Sequence, residues 1–266
     1  MNSNKTALIT GASSGIGYEL ARSFAGHGYD LVMVARSEQQ LRQLAAGLQE
    51  AHGVATRVIV KDLALAGAPA EIVAELQRDD VQVDVLVNNA GFGNYGLFAE
   101  NDLCAELRML QVNIVALTHL TGLLLPGMLK RRTGKILNMS SVAGFQPGPR
   151  MAAYFASKSY VLSFSEALAS ELKGTGVSVT ALCPGFVATH FHRRAGADGS
   201  KMMGMPKTDV KTVAELGYRA LMNNRAVVVI GLVNNVIVQA LRLAPRALIR
   251  SVSRFLIRPD LSRMNS

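Results

Sequence analysis

Tyr154 and Lys158 stand four residues apart in residues 152–172, AAYFASKSYVLSFSEALASEL, a run of helix-forming and small side chains. Helical spacing puts both side chains on one face. A free tyrosine titrates near pH ~10 and a free lysine near ~10.4, so an unassisted phenol is a poor base at neutral pH. A fixed ammonium beside it favours tyrosinate and is expected to lower the phenol's pKa. Such a pair can give a proton to an oxygen or take one from it. Ser141 ends the apolar run KILNMSS, where its hydroxyl could steady that oxygen. Each residue also has an ordinary use: Tyr and Lys at this spacing form surface pairs, and Ser140-Ser141 could simply end a strand. Their combination with a second constellation favours chemistry.

That constellation is Thr10-Gly11-Ala12-Ser13-Ser14-Gly15-Ile16-Gly17, between the first apolar run and the first helical pattern. Glycines let the chain turn tightly and let a pyrophosphate approach the amides at a helix N-terminus. The spacing is GxxxGxG, not the GxGxxG dinucleotide fingerprint. A chain selecting NAD would carry an acid at the end of the second strand, for the ribose 2′-hydroxyl. Here Ala35 and Arg36 stand there, with no acid until Glu38. Arg36 and Ser13 suit a 2′-phosphate, so NADP(H) is the expected cofactor.

The elements that must position these residues follow from periodicity. Apolar, β-branched runs at 6–10, 31–35, 56–60, 84–88, 135–139, 177–182 and 226–230 alternate with helical patterns such as 37–51 and 68–78. Strands alternating with helices predict an α/β fold, a doubly wound, mainly parallel, seven-stranded Rossmann-like sheet in one domain. The expected boundaries are 1–231 for the catalytic domain, with a substrate loop or lid at 186–208, and 232–266 for a helical tail.

Composition narrows the class. Of 266 residues, 49% are hydrophobic and 18% charged, too apolar for intrinsic disorder. Cys104 and Cys183 make neither a disulfide framework nor metal spacing. The pair His190 and His192 lacks an evident third ligand, so no metal is expected. The N-terminal residues show no secretory or transit pattern, and a cytoplasmic location is expected. The net charge is +9, but seven arginines and one acid from Arg225 onward carry +6 of it. With no tryptophan and no recognition motif, a nucleic-acid partner is not expected.

Taken in order, the motifs resemble the short-chain dehydrogenase/reductase family over roughly residues 5–230, in particular NADP-preferring bacterial members of broad specificity. They are TGASSGIG (10–17), Asp62, NNAG (88–91), Asn113, Ser141, Tyr154-x-x-x-Lys158, and Pro184-Gly185 followed by Thr189. The resemblance implies carbonyl reduction, or the reverse oxidation, with Tyr154 exchanging the proton and the nicotinamide the hydride. It implies that Lys158 holds the nicotinamide ribose and that Asn113 places a water relayed to Lys158. Asp62 and Leu63 would meet the adenine, Asn89, Ala90 and Gly91 the adenosine ribose side, and Thr189 the nicotinamide carboxamide or the phosphate, with Pro184, Gly185 and Val187 also among the cofactor contacts. Asp62 could equally cap a helix. A homodimer or homotetramer around Asn113 and Tyr154 is implied as well.

Substrate contacts are expected from Phe92, Gly93 and Tyr95, from Phe145, Gln146, Pro147 and Met151, and from Phe186. Met202, Met203 and Met205 would either close over the pocket or pack the loop onto the sheet. Residues 232–243 and 245–257 read as helices, with Pro245 in a first turn. In the second, Arg246, Arg250 and Arg254 oppose Leu248, Ile249, Val252, Phe255 and Leu256. That basic amphipathic pattern fits either peripheral membrane contact or packing on the body or a dimer partner. The competing functions are 3-oxoacyl-thioester reduction, with basic residues meeting an acidic carrier or coenzyme A, and a non-catalytic NADP(H) sensor.

Overall fold

The computed structural model describes residues 5–187, 189, 191–197 and 207–258. Seven strands form one parallel sheet: β1 (Thr6–Thr10), β2 (Asp30–Ala35), β3 (Thr56–Val60), β4 (Val85–Asn88), β5 (Gly134–Met139), β6 (Val177–Cys183) and β7 (Val227–Val229). Their spatial order is β3-β2-β1-β4-β5-β6-β7. The apolar runs read from the sequence match these strands to within one residue at either end. Side-chain alternation explains why the runs are continuously apolar. Ala7 and Ile9 enter one core layer while Leu8 enters the other, and Leu31 and Met33 against Val32 and Val34 repeat the pattern.

The helices on the N-terminal half are α1 (Gly15–Gly26), α2 (Glu38–His52), α3 (Ala68–Arg78), α4 (Leu103–Leu110) and α5 (Leu117–Arg131). Then come α6 (Ala152–Glu171), α7 (Phe191–Arg194), α8 (Val210–Met222), α9 (Leu232–Leu243) and α10 (Arg246–Ile257). Leu20 and Phe24 of α1, Leu41 of α2 and Val213 of α8 cover one face of the sheet. Ile72 of α3 and Leu120 and Met128 of α5 cover the other. This is the doubly wound architecture that the alternating pattern predicts.

Between α4 and α5 the chain makes a π-helical turn, Gln111–Ala116, without breaking the helix. The run Leu103–Arg131 is long and apolar enough to cross a membrane by length and composition alone. Its inner side, including Met109, Asn113, Leu120 and Met128, is buried, and Leu120 and Met128 pack against the sheet.

Strand order reverses between β1 and β4, so the loops after these two strands diverge and leave a crevice at the sheet's C-terminal edge. Two details differ from the sequence reading. Pro245 is the N-cap of α10, one residue outside the helix, with ψ at 136°. The segment read as a substrate loop or lid contains the short helix α7, and a bridge joins Val187 to Thr208 at its base. Met202, Met203, Met205 and His190 lie outside the described residues.

Candidate active site

One elongated cavity of roughly 880 Å³ runs along the crevice. Its first end is built by the turn between β1 and α1. Gly11 (φ 69°) and Gly15 (φ 61°) adopt the left-handed backbone that this turn requires. The N-cap Ser14 makes no side-chain bond to α1, whose first turn carries no acid, so its leading amides face the cavity without internal competition. Across from them, Thr189 lies 3.4 Å from where a Gly15 Cβ would stand.

The loop after β4 is tied to this turn. Thr10 Oγ1 accepts from the backbone N–H groups of Asn89 and Ala90, each at 3.0 Å. Asn89 Nδ2 donates to Thr10 O at 2.9 Å. A side chain at Gly17 would collide with Gly11 O and Asn89 Nδ2. Gly17 does not line the cavity. It is the point of close approach that lets α1 pack against the two loops.

Ser13, Arg36, Ser37, Lys61 and Asp62 line the cavity beyond the glycine turn. Glu38 instead forms an ion pair with Arg42 one turn along α2. The end of β2 therefore presents a guanidinium and hydroxyls, with the first acid turned to another partner. Asp62 Oδ1 accepts from Ala64 N at 3.0 Å, and its Oδ2 meets Arg108 at 3.3 Å. It caps its own loop while lining the wall, and Leu63 is buried beside it.

The other end gathers Ser141, Tyr154 and Lys158. The β5 strand delivers Ser141 to the start of a short 3₁₀ turn, Val142–Phe145, whose Ala143 N–H donates to Ser141 Oγ at 3.1 Å. Ser141 Oγ in turn donates to Pro184 O at 3.3 Å. Tyr154 and Lys158 project from one face of α6, with Lys158 Nζ 5.8 Å from the Tyr154 ring centre. Lys158 is buried and donates to Met139 O at 2.8 Å.

Burial dominates the electrostatics here. It pushes the Tyr154 hydroxyl up to about 12, a rise that the Ser141 hydrogen bond only partly opposes. The sequence reading expected the nearby ammonium to lower it. Among the protein's own groups desolvation wins, because the ammonium stands beside the ring and its bond goes to Met139 O. Burial likewise lowers Lys158 to about 8, against a small opposing effect from Cys183.

Asn113 stands behind this end and does not line the cavity. Its Nδ2 donates to Phe92 O at 2.9 Å and to Ser157 Oγ at 3.1 Å, and its Oδ1 accepts from Phe92 N at 3.1 Å. A side chain at Gly91 would press on Asn113 Oδ1 at 2.9 Å and approach Lys158 Nζ at 3.5 Å. The π turn carries Asn113 to this seam, consistent with the frequent appearance of such turns at functional sites.

Phe92, Met151 and Phe186 line the cavity, as do Gly11, Ser14, Gly15, Ile16, Asn89, Ala90, Gly91, Pro184, Gly185, Val187 and Gln146. Phe145 does not. It packs beside Leu162, Ala181 and Cys183, because the 3₁₀ turn rotates it away from the site. Tyr95 and Pro147 also lie off the wall. Sequence reasoning missed Phe155, Phe191 and the cationic rim of Arg193, Arg194 and Lys207. It missed most that Ser253, Leu256 and Ile257 of α10 close the substrate end. Ser253 Oγ donates to Gln146 Oε1 at 3.2 Å, and Tyr95 Oη donates to Ile257 O at 2.8 Å. The arginine periodicity hid this, since the residues that dock are only Ile249, Ser253 and Ile257.

The model of the short chain dehydrogenase family matches residues 5–199. A short-chain dehydrogenase from Sphingobium yanoikuyae, solved in complex with NADPH, is 34% identical with a TM-score of 0.82, covering 92% of this chain and 95% of that one. The bulky-bulky ketone specific alcohol dehydrogenase from Comamonas testosteroni is 31% identical with a TM-score of 0.77, covering 91% and 93%. A very-long-chain 3-oxoacyl-CoA reductase of Anas platyrhynchos is 38% identical over 69% of this chain, which spans 60% of that longer protein. The chain belongs to the short-chain dehydrogenase family of NAD(P)-dependent oxidoreductases acting on CH–OH and C=O groups.

Proposed function

We propose that this chain reduces an apolar ketone or aldehyde with NADPH, Tyr154 giving the proton to the carbonyl oxygen. The observation that carries the reading is one continuous cavity with a glycine turn and Arg36 at one end and Ser141, Tyr154 and Lys158 at the other. The first end fits a dinucleotide phosphate: left-handed glycines, uncapped helix amides, and Arg36 with Ser13 and Ser37 where an NAD-selecting acid is missing. When bound, NADPH supplies a hydride.

The protein's groups supply the rest. With its pKa raised to about 12, Tyr154 carries its proton at neutral pH, the state a donor needs. Ser141 presents a hydroxyl that can turn from Pro184 O to a substrate oxygen. Lys158 is charged below about pH 8, and its ammonium stabilises the tyrosinate left once the proton has gone. Asn113 is a positioning residue. Its side chain is spent on Phe92 and Ser157, so a relayed water would have to be held through its backbone.

Met151, Phe155, Phe186, Phe191 and Leu256 give the substrate end an apolar, adaptable wall. A second reading, 3-oxoacyl-thioester reduction, is favoured by Arg193, Arg194 and Lys207 at the rim, which suit a phosphorylated carrier. We also infer a homodimer or homotetramer, for which exposed Leu103 and Leu107 on α4, Val115 and, on α6, Tyr160 provide apolar contact area. The test is NADPH consumption with ketones, aldehydes and 3-oxoacyl thioesters of rising chain length, beside NADH. Turnover that grows with chain length and prefers NADPH supports the reading. Tight NADPH binding without turnover on any substrate in either direction would replace it with a sensor.

A further inference from the structure

Helix α10 has three sides. At about 100° per residue, Ile249, Ser253 and Ile257 occupy one arc, and these are its buried positions. Arg250, Arg254 and Arg258 occupy the next arc. Leu248, Val252, Phe255 and Leu256 fill the third and remain exposed, Leu248 at 55% and Phe255 at 54%. The sequence offered two alternatives for the apolar residues, packing or membrane contact. The structure divides them: a narrow seam docks and the larger apolar side stays open. The arginine and open apolar arcs meet on the side turned from the body, where Arg258 lies over the Phe255 ring at 4.3 Å.

Helix α9 repeats the pattern. Only Val238 is buried, whereas Leu232, Val233, Val236 and Ile237 are exposed, Leu232 at 86%. Residues 226–258 contain Arg242, Arg246, Arg250, Arg254 and Arg258 and no Asp or Glu. That composition selects the occupant. A second copy seated on the same face would bring arginines against arginines with no carboxylate between them, since an isologous contact uses the same patch twice. An anionic lipid surface meets both arcs at once, taking the apolar side chains below the headgroups and the guanidinium groups at phosphate level.

The same helix is a wall of the reduction site. Leu256 is 40% exposed and also lines the cavity, so apolar surface continues from the open face of α10 to the substrate end. Resting on the reductase reading given above, we propose that α9 and α10 dock on an anionic bilayer and that the cavity receives its carbonyl substrate from the lipid past Leu256. Docking and substrate entry then share one helix.

The experiment uses the full-length protein and vesicles of phosphatidylcholine alone or with one-quarter phosphatidylglycerol. The double variant Leu248→Gln/Phe255→Gln changes two exposed residues that do not line the cavity. Wild type should bind the anionic vesicles at least tenfold more tightly than the neutral ones, less so at high salt. The double variant should lose most of that binding and keep its turnover of a short, water-soluble ketone. It should also lose turnover of a long-chain ketone presented in anionic vesicles, by tenfold or more. Equal vesicle binding by wild type and variant, or none by wild type, overturns the docking. Binding lost with turnover of the vesicle-held ketone unchanged overturns the route of entry. A fall in oligomer mass in the double variant by light scattering, without any vesicle effect, assigns the face to a second copy instead. Failure to reduce even the soluble ketone while vesicles are bound would strike the reductase reading and leave the docking standing.

Discussion

Lys158 gives the site a stability signature that can be read without substrate. Burial lowers its pKa from 10.5 to about 8, while its unfolded counterpart stays near 10.5. Between those values the unfolded chain binds a proton that the folded one does not, so the Lys158 contribution to stability rises with pH. Integrated from pH 7.5 to 9.5, the shift amounts to about 2 kcal/mol, at about 1.4 kcal/mol per unit once the folded lysine has titrated. Tyr154 and Cys183, both raised to about 12, act in the opposite sense above their unfolded pKa values. The quantity to read is therefore the difference between wild type and Lys158→Met, which has similar length and no charge. Urea unfolding at several pH values across that window should show wild type gaining about 2 kcal/mol on the variant as pH rises. A difference that stays flat, or that shrinks as pH rises, would refute the claim that this ammonium is held in a desolvated site.

Two further outcomes follow from the geometry. Arg36→Ala should raise KM for NADPH roughly tenfold and leave NADH nearly unchanged, the low end of the ~1.5–3 kcal/mol for a charged hydrogen bond because the side chain is exposed; steady-state kinetics with both cofactors check it, and equal effects on the two would remove Arg36 from cofactor choice. Asn113→Ala should cost about 2–4 kcal/mol in urea unfolding, since it removes the partners of both backbone groups of Phe92 and one of the two partners of the Ser157 hydroxyl, which still donates to Tyr154 O. A cost under 1 kcal/mol would show that this seam is not holding the loop after β4.

What could be read before folding was whatever local spacing encodes. The strands were legible because doubly buried strands need continuous apolar runs. Tyr154 and Lys158 were legible because a four-residue spacing fixes one helical face. Arg36 was legible because its position follows directly from the end of β2. The misplacements have physical causes as well. Phe145 follows Ser141 closely in sequence, but a 3₁₀ turn sets its direction and no periodicity announces so short an element. At Gly17 the motif alone does not show the close approach of two backbones, which only the fold brings together. The π turn under Asn113 has no composition of its own. The closure of the cavity by α10 depends on a long-range contact between Ser253 and Gln146, which the stronger arginine pattern concealed. The raised Tyr154 pKa was missed because neighbouring charge can be inferred from spacing, whereas depth of burial cannot.

The central claim is that Tyr154 delivers the proton in carbonyl reduction. Tyr154→Phe removes one hydroxyl and keeps the ring that packs on Phe155 and Phe191. With a substrate that wild type reduces, kcat should fall by about 10²–10⁴-fold while NADPH affinity, measured by fluorescence titration, stays within about twofold. Turnover within a few-fold of wild type at full NADPH affinity would contradict the account.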